Sequence, residues 1–164
     1  MMDEVEKYVN DCMDWNDSIE NDGTELTTVE EGDYTFRISG FERARYIGSA
    51  KIPACNKASI TVDILTKDGK PAICKFDLIL YRSLEWKLSA FFRSIGQKKH
   101  GEKLVMDWSK VLNSYGRAHF KPRTYTNNNG EEKTVNDLDK FLDYDEEAIN
   151  ADKEAFMNSQ DLPF

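Results

Sequence analysis

From Asp33 onward the hydrophobic pattern of the chain has a period of two. In "DYTFRISGFERARY", Tyr34, Phe36 and Ile38 point to one side and Thr35, Arg37 and Ser39 to the other, the alternation of a half-buried strand. Gly40 lies inside this run and marks a bulge or a barrel corner. "ASITVDIL" alternates again with Ile60, Val62 and Ile64 inward. "TKDGK" carries the Asp-Gly signal of a hairpin, and "PAICKFDLILY" returns with Cys74, Phe76, Leu78 and Leu80 inward. The period then changes. In "SLEWKLSAFFRSIG", Leu84, Leu88, Phe91, Phe92 and Ile95 recur at helical spacing, between Ser83 as N-cap and Gly96 as the C′ residue. "KLVMDWSKVL" suits a second short helix. Alternation resumes in "GRAHFKPRTYT", "NNNG" is a turn, and "EEKTVNDLDKFL" holds a last strand near 134–136 followed by a helical turn.

Three strands, a helical insert and two further strands make a mainly β chain. A five-stranded Greek-key barrel with its helix between strands three and four, the OB-fold, has that order. The expected core includes Tyr34, Phe36, Phe76, Trp86, Phe91, Phe92 and Phe120; Trp108 suits either the core or an exposed platform. The flanks read differently. Residues 1–31 show weak periodicity and heavy like charge, an acidic arm with Trp15 as its one candidate anchor. Residues 32–142 form the globular body, and 143–164 are an acidic tail sparse in aliphatic side chains.

Charge alters the picture that composition gives. A net charge of −8 argues against a polyanion partner. Mapped along the chain, however, residues 1–33 carry −11, residues 34–142 carry +9 and residues 143–164 carry −6. A basic body between acidic arms suggests a polyanion ligand. No apolar run approaches the ~18 residues of a membrane span, and the acidic start lacks the features of a secretory signal, so a soluble, cytoplasmic protein is expected. Cys12, Cys55 and Cys74 are odd in number and form no C-x-x-C pair, which favours reduced thiols, with Cys74 in a strand core.

Nothing in the sequence asks for catalysis. His100 and His119 have no local nucleophile or carboxylate companion, and no phosphate loop or metal motif is present. No enzyme activity, metal or cofactor is expected. The fourth strand is more informative, because its outward row is Arg117, His119, Lys121, Arg123 and Tyr125. Arg37 and Lys75 add outward cations on strands one and three, and Arg43, Arg45, Tyr46, Lys51 and Lys57 supply a basic segment around the first loop. Cations that follow phosphates, together with rings on which bases stack, are what single-stranded nucleic acid requires.

The chain's last residues, Asp161, Leu162, Pro163 and Phe164, complete the pattern. An acidic segment finishing Asp-Leu-Pro-Phe on a basic body resembles the single-stranded DNA-binding proteins of bacteria and their phages. From "GDYTFRISGFE" through "FFRSIG" to "NDLDKFL" the body looks more like the phage-encoded representatives. The resemblance implies a protein that coats and protects unpaired DNA in replication, recombination and repair. It also implies recruitment of partner enzymes through those four residues, residence in the cytoplasm of a host cell, and homo-oligomers. Family tails usually carry acids up to the tip, whereas "MNSQ" intervenes here. The rival expectation is an acidic DNA mimic or inhibitor that occupies a basic protein partner.

Overall fold

The computed structural model describes residues 12–19 and 26–160. Five strands form one antiparallel sheet: β1 (Gly32–Tyr46), β2 (Cys55–Ile64), β3 (Ile73–Ile79), β4 (Tyr115–Thr126) and β5 (Glu132–Leu142), in the spatial order β3-β2-β1-β4-β5. Helix α1 (Glu85–Ser94) lies between β3 and β4 in sequence, and helix α2 (Glu146–Gln160) follows β5. No described helix is long and apolar enough to cross a membrane.

Alternation does what the sequence expects on β1 to β3. Phe36, Ile38, Ile60, Val62, Ile64, Cys74 and Leu78 are buried in one cluster with Leu88, Phe91 and Phe92 of α1 and Ala118 and Phe120 of β4. Burial pushes the Cys74 thiol up to about 12, so it stays protonated and apolar in character. The irregularity falls between Ile38 and Gly40. Beyond it the parity of β1 reverses, so Arg43 sits opposite the buried Ala58, while Ala44 is opposite Lys57. Gly116 has no room for a side chain: a Cβ there would come 2.7 Å from the Phe36 ring and from Ser94 O.

The two edges of the sheet approach each other. Phe76 of β3 and Phe141 of β5 meet edge to face, with centroids 5.5 Å apart. Into the seam runs the segment preceding β1. Thr27 N donates to Pro71 O at 2.8 Å. The buried Asn136 accepts from Val29 N through Oδ1 at 2.8 Å and donates through Nδ2 to Thr27 O at 3.1 Å and Ile73 O at 2.9 Å. Truncating this amide would strand buried backbone groups, a loss of about 1–3 kcal/mol each. The end of the acidic arm is thus stitched to the body.

Several elements differ from expectation. Ser83 does not cap α1; it lies in a 3-10 turn, Arg82–Leu84, and Leu84 precedes the helix without a side-chain cap. Gly96, at φ +79°, does follow the helix in the left-handed conformation. The expected second helix is only a 3-10 turn, Trp108–Lys110. Trp108 stacks on Phe41 at 5.4 Å, nearly coplanar. β5 continues through "NDLDKFL" as strand, because Leu138 and Phe141 pack against the core. Trp86 is 67% exposed and Trp15 wholly exposed, so neither is the core or anchor residue expected. Helix α2 replaces most of the expected irregular tail. Asp145 Oδ1 accepts from Ala148 N, Glu146 and Glu147 favour the helix start, and Ile149 is buried. Its docking explains why Thr35, outward on β1, is nevertheless fully buried.

Candidate nucleic-acid interface

The candidate cations fall into two groups. Along the outer row of β4 each is met by a carboxylate. Arg117 Nε lies 4.0 Å from Asp152 on α2, the same carboxylate that accepts from Thr35 Oγ1 at 2.5 Å. His119 Nδ1 is 2.7 Å from Asp33, and its Nε2 is 3.3 Å from Glu31. The Asp33 hydrogen bond, joined by Glu31 and opposed by partial desolvation, raises the His119 pKa above the usual 6.5. Lys121 pairs with Asp139 at 3.4 Å and Arg123 with Asp137 at 3.3 Å, both from β5. Elsewhere Arg37 pairs with Asp63 and Lys57 with Asp77, each at 3.1 Å. This order follows from the sequence: β5 alternates Asp137, Asp139 on the face where β4 alternates Lys121, Arg123.

A second group has no such partner. Arg43, Lys51 and Lys75 are exposed and make no ion pair among the described residues. Arg45 donates only to the neutral Asn56 Oδ1, at 3.0 Å. Arg43, Arg45 and the half-buried Tyr46 end β1, and Lys51 sits in the turn that follows. There Ser49 Oγ accepts from the backbone N–H groups of Lys51 and Ile52, and Gly48, at φ +100°, takes a conformation that L side chains rarely adopt.

Lys75 joins two grooves. One, of about 560 Å³, crosses the outer face of β1, β2 and β3 over the small residues Ser39, Gly40, Ser59 and Thr61, with the carboxylates of Glu42 and Asp77 also in its lining. The other, of about 480 Å³, lies between β3 and the β4–β5 hairpin and contains Arg123 and Tyr125. Tyr125 is 42% exposed, and the Arg123 guanidinium carbon lies 5.5 Å from its ring centroid. The hairpin holds its shape through Asn127, whose Oδ1 accepts from the backbone N–H of both Asn129 and Glu131, and through Gly130 at φ +77°.

The structure therefore brings Lys75, Arg123 and Tyr125 together. It places Arg43, Arg45, Tyr46 and Lys51 on the projecting β1–β2 hairpin. Arg117 is covered by α2, and Arg37, Lys57, His119 and Lys121 are held in local pairs. Asp161, Leu162, Pro163 and Phe164 lie outside the described residues. Sequence reading missed the carboxylates that neutralise β4 and the small-residue floor of the outer groove. The acidic alternation of β5 carried the first signal and Ser59/Thr61 the second. No protein-family model matches this chain, and no curated protein sequence matches it.

Proposed function

We propose that this protein binds single-stranded DNA, without chemistry and with little sequence preference, along the outer face of β1–β3. The observation that carries this reading is the continuity of two grooves at Lys75, an exposed cation without an ion pair among the described residues, with a stacking ring, Tyr125, on one side and small residues in the floor on the other. Small floor residues let a flat base approach the sheet, an exposed tyrosine offers a π-face to any base, and unpaired cations follow the phosphates. Tyr46 lies on the same face further along β1 and Lys51 in the turn beyond it, while Arg43 and Arg45 flank the hairpin from its other face. The helix between β3 and β4 and the approach of β3 to β5 support an OB-type barrel, whose nucleic-acid ligands lie on the corresponding face. Within the same reading, Asp161–Phe164 serve as a docking peptide for replication or recombination enzymes in a host cytoplasm.

Fluorescence polarisation with a labelled oligo-dT tests this directly. Wild type should bind at low salt, and each phosphate contact should cost about 0.7 log unit of affinity per tenfold rise in salt. Lys75→Glu should weaken binding. Absence of binding by the wild-type chain at low salt would remove the proposal and leave the reading of an acid-rich protein that binds a basic partner.

A further inference from the structure

We infer that the β1–β2 hairpin is a strand-separating pin, which holds open a junction between duplex and single-stranded DNA with Ile47 as its wedge. The inference rests on the nucleic-acid reading and adds an activity to it. Three features of the hairpin carry it: an exposed aliphatic side chain, a braced turn that presents it, and cations divided between the two faces. Ile47 follows β1 directly and is 92% exposed. A single exposed aliphatic residue is ordinary on a protein surface. The turn that holds this one is not ordinary.

β1 and β2 stay paired to their last residues, Tyr46 opposite Cys55. Beyond them Ser49 ties the turn together. Its backbone N–H donates to Ile52 O at 2.7 Å, and its Oγ accepts from Ile52 N at 3.2 Å. The two sides of the turn also touch, because a Cβ on Gly48 would stand 3.2 Å from Ala54 N. Pro53 fixes its own φ. Ile52 is half-buried within the turn, whereas Ile47 faces solvent. Isoleucine is among the side chains that proteins insert between base steps to unstack them. A tip already ordered before it meets DNA loses little conformational freedom on insertion.

The division of charge points to two strands rather than one. Successive strand residues face opposite ways, so Tyr46 lies on the face of the groove at Lys75, with Glu42 and the Lys57–Asp77 pair. Arg43 and Arg45 lie on the opposite face, the one on which Phe41 stacks against Trp108. That face has no acid between residues 43 and 58. Arg43 makes no ion pair among the described residues, and Arg45 bonds only the neutral Asn56. A pin at a fork needs contacts on both sides, since the strands diverge around it. Here one strand passes Tyr46, whose ring offers a surface for its first unpaired base, and enters the groove. Its complement crosses the two guanidinium groups, and Lys51 in the turn meets phosphate at the branch point. No nucleotide is hydrolysed: the opening is stoichiometric and driven by binding the separated strands in preference to the duplex.

The test uses the full chain and a forked DNA with 2-aminopurine in the first base pair of its duplex arm, a base that brightens when unstacked. Saturating wild type should raise the signal about threefold. Ile47→Ser should lose most of that rise while its oligo-dT affinity changes by less than about twofold, as expected of an exposed substitution, and Ile47→Leu should retain it. Arg43→Ala combined with Arg45→Ala should cost roughly tenfold in affinity for the fork against roughly threefold for oligo-dT, because only the fork engages both faces at once. A rise unaffected by Ile47→Ser overturns the pin, since capture of frayed strands then suffices. Equal losses on fork and oligo-dT, for Ile47→Ser or for the arginine pair, overturn it too by making these residues plain contacts. A dimer in sedimentation velocity that Ile47→Ser abolishes assigns the tip to a second copy and likewise overturns it. Wild type that binds oligo-dT yet leaves the fork dark removes the pin alone. Absence of oligo-dT binding removes the nucleic-acid reading and the pin with it.

Discussion

The β4 row and the β1–β2 hairpin carry similar cations in opposite electrostatic states. On β4, Arg117, His119, Lys121 and Arg123 each face a carboxylate within 4.0 Å. On the hairpin and β3, Arg43, Lys51 and Lys75 face water. Exposed pairs contribute little to stability, typically 0–1 kcal/mol. Their larger effect is on the field that a polyanion meets, because a cation already balanced by an acid attracts a phosphate weakly. Positive residues in a sequence thus count toward binding only after their acidic neighbours in space have been subtracted.

The most severe way to break this contrast is to reverse the unpaired set. Arg43→Glu, Lys51→Glu and Lys75→Glu together should weaken oligo-dT binding about a hundredfold at low salt, whereas Lys121→Glu should cost far less. Equal losses in a polarisation titration would show that the pairing on β4 is irrelevant. The converse is to release the β4 cations. Asp137→Asn, Asp139→Asn and Asp152→Asn combined should tighten binding roughly threefold to tenfold, an effect fading as salt screens it. Removal of residues 143–164, which carry Asp152 on α2, should act in the same direction at low salt.

A finer measure separates contact from general field. Lys75→Ala should lower the slope of log affinity against log salt by about 0.7, the signature of one lost phosphate contact; Lys57→Ala, already paired with Asp77, should leave the slope nearly unchanged. The smallest effect concerns His119. Its pKa is raised above 6.5 chiefly by Asp33, so Asp33→Asn should bring the imidazole midpoint back toward that value in an NMR titration. The sign for stability follows: the charged pair's contribution is complete below the unfolded pKa and is lost as pH rises through the higher folded value. The His119 contact with the arm should therefore weaken on the alkaline side.

Much of the fold was legible because β1, β2 and β3 are half-buried, and a half-buried strand must alternate. Gly40, Gly96 and the Asp68-Gly69 turn were legible because each backbone position has its own chemical signature; Gly69, at φ +73°, is an example. Helix α2 was not, because its packed stripe is reduced to the buried Ile149 and the half-buried Phe156, with the Lys153 ammonium over Tyr115, whose ring centroid lies 4.3 Å from Nζ. Asp145 as a cap ahead of Glu146 and Glu147 was the available signal. The seam segment was hidden for a different reason. Thr27 and Val29 are held by an amide more than a hundred residues away, and no local pattern encodes such a partner. The candidate site was legible in residue type and illegible in availability, since pairing on β4 depends on strand register.

Asn136 also has a bearing on biogenesis. It fastens the stretch before β1 to β5, a separation of 107 residues, so this fastening cannot form until β5 has been synthesised. Closing so large a loop is entropically slow compared with pairing adjacent hairpins. The emerging chain therefore passes through an interval in which β1, β2 and β3 are assembled with one flank unguarded, and ribosome-bound intermediates truncated before β5 should be the species most open to proteases and chaperones.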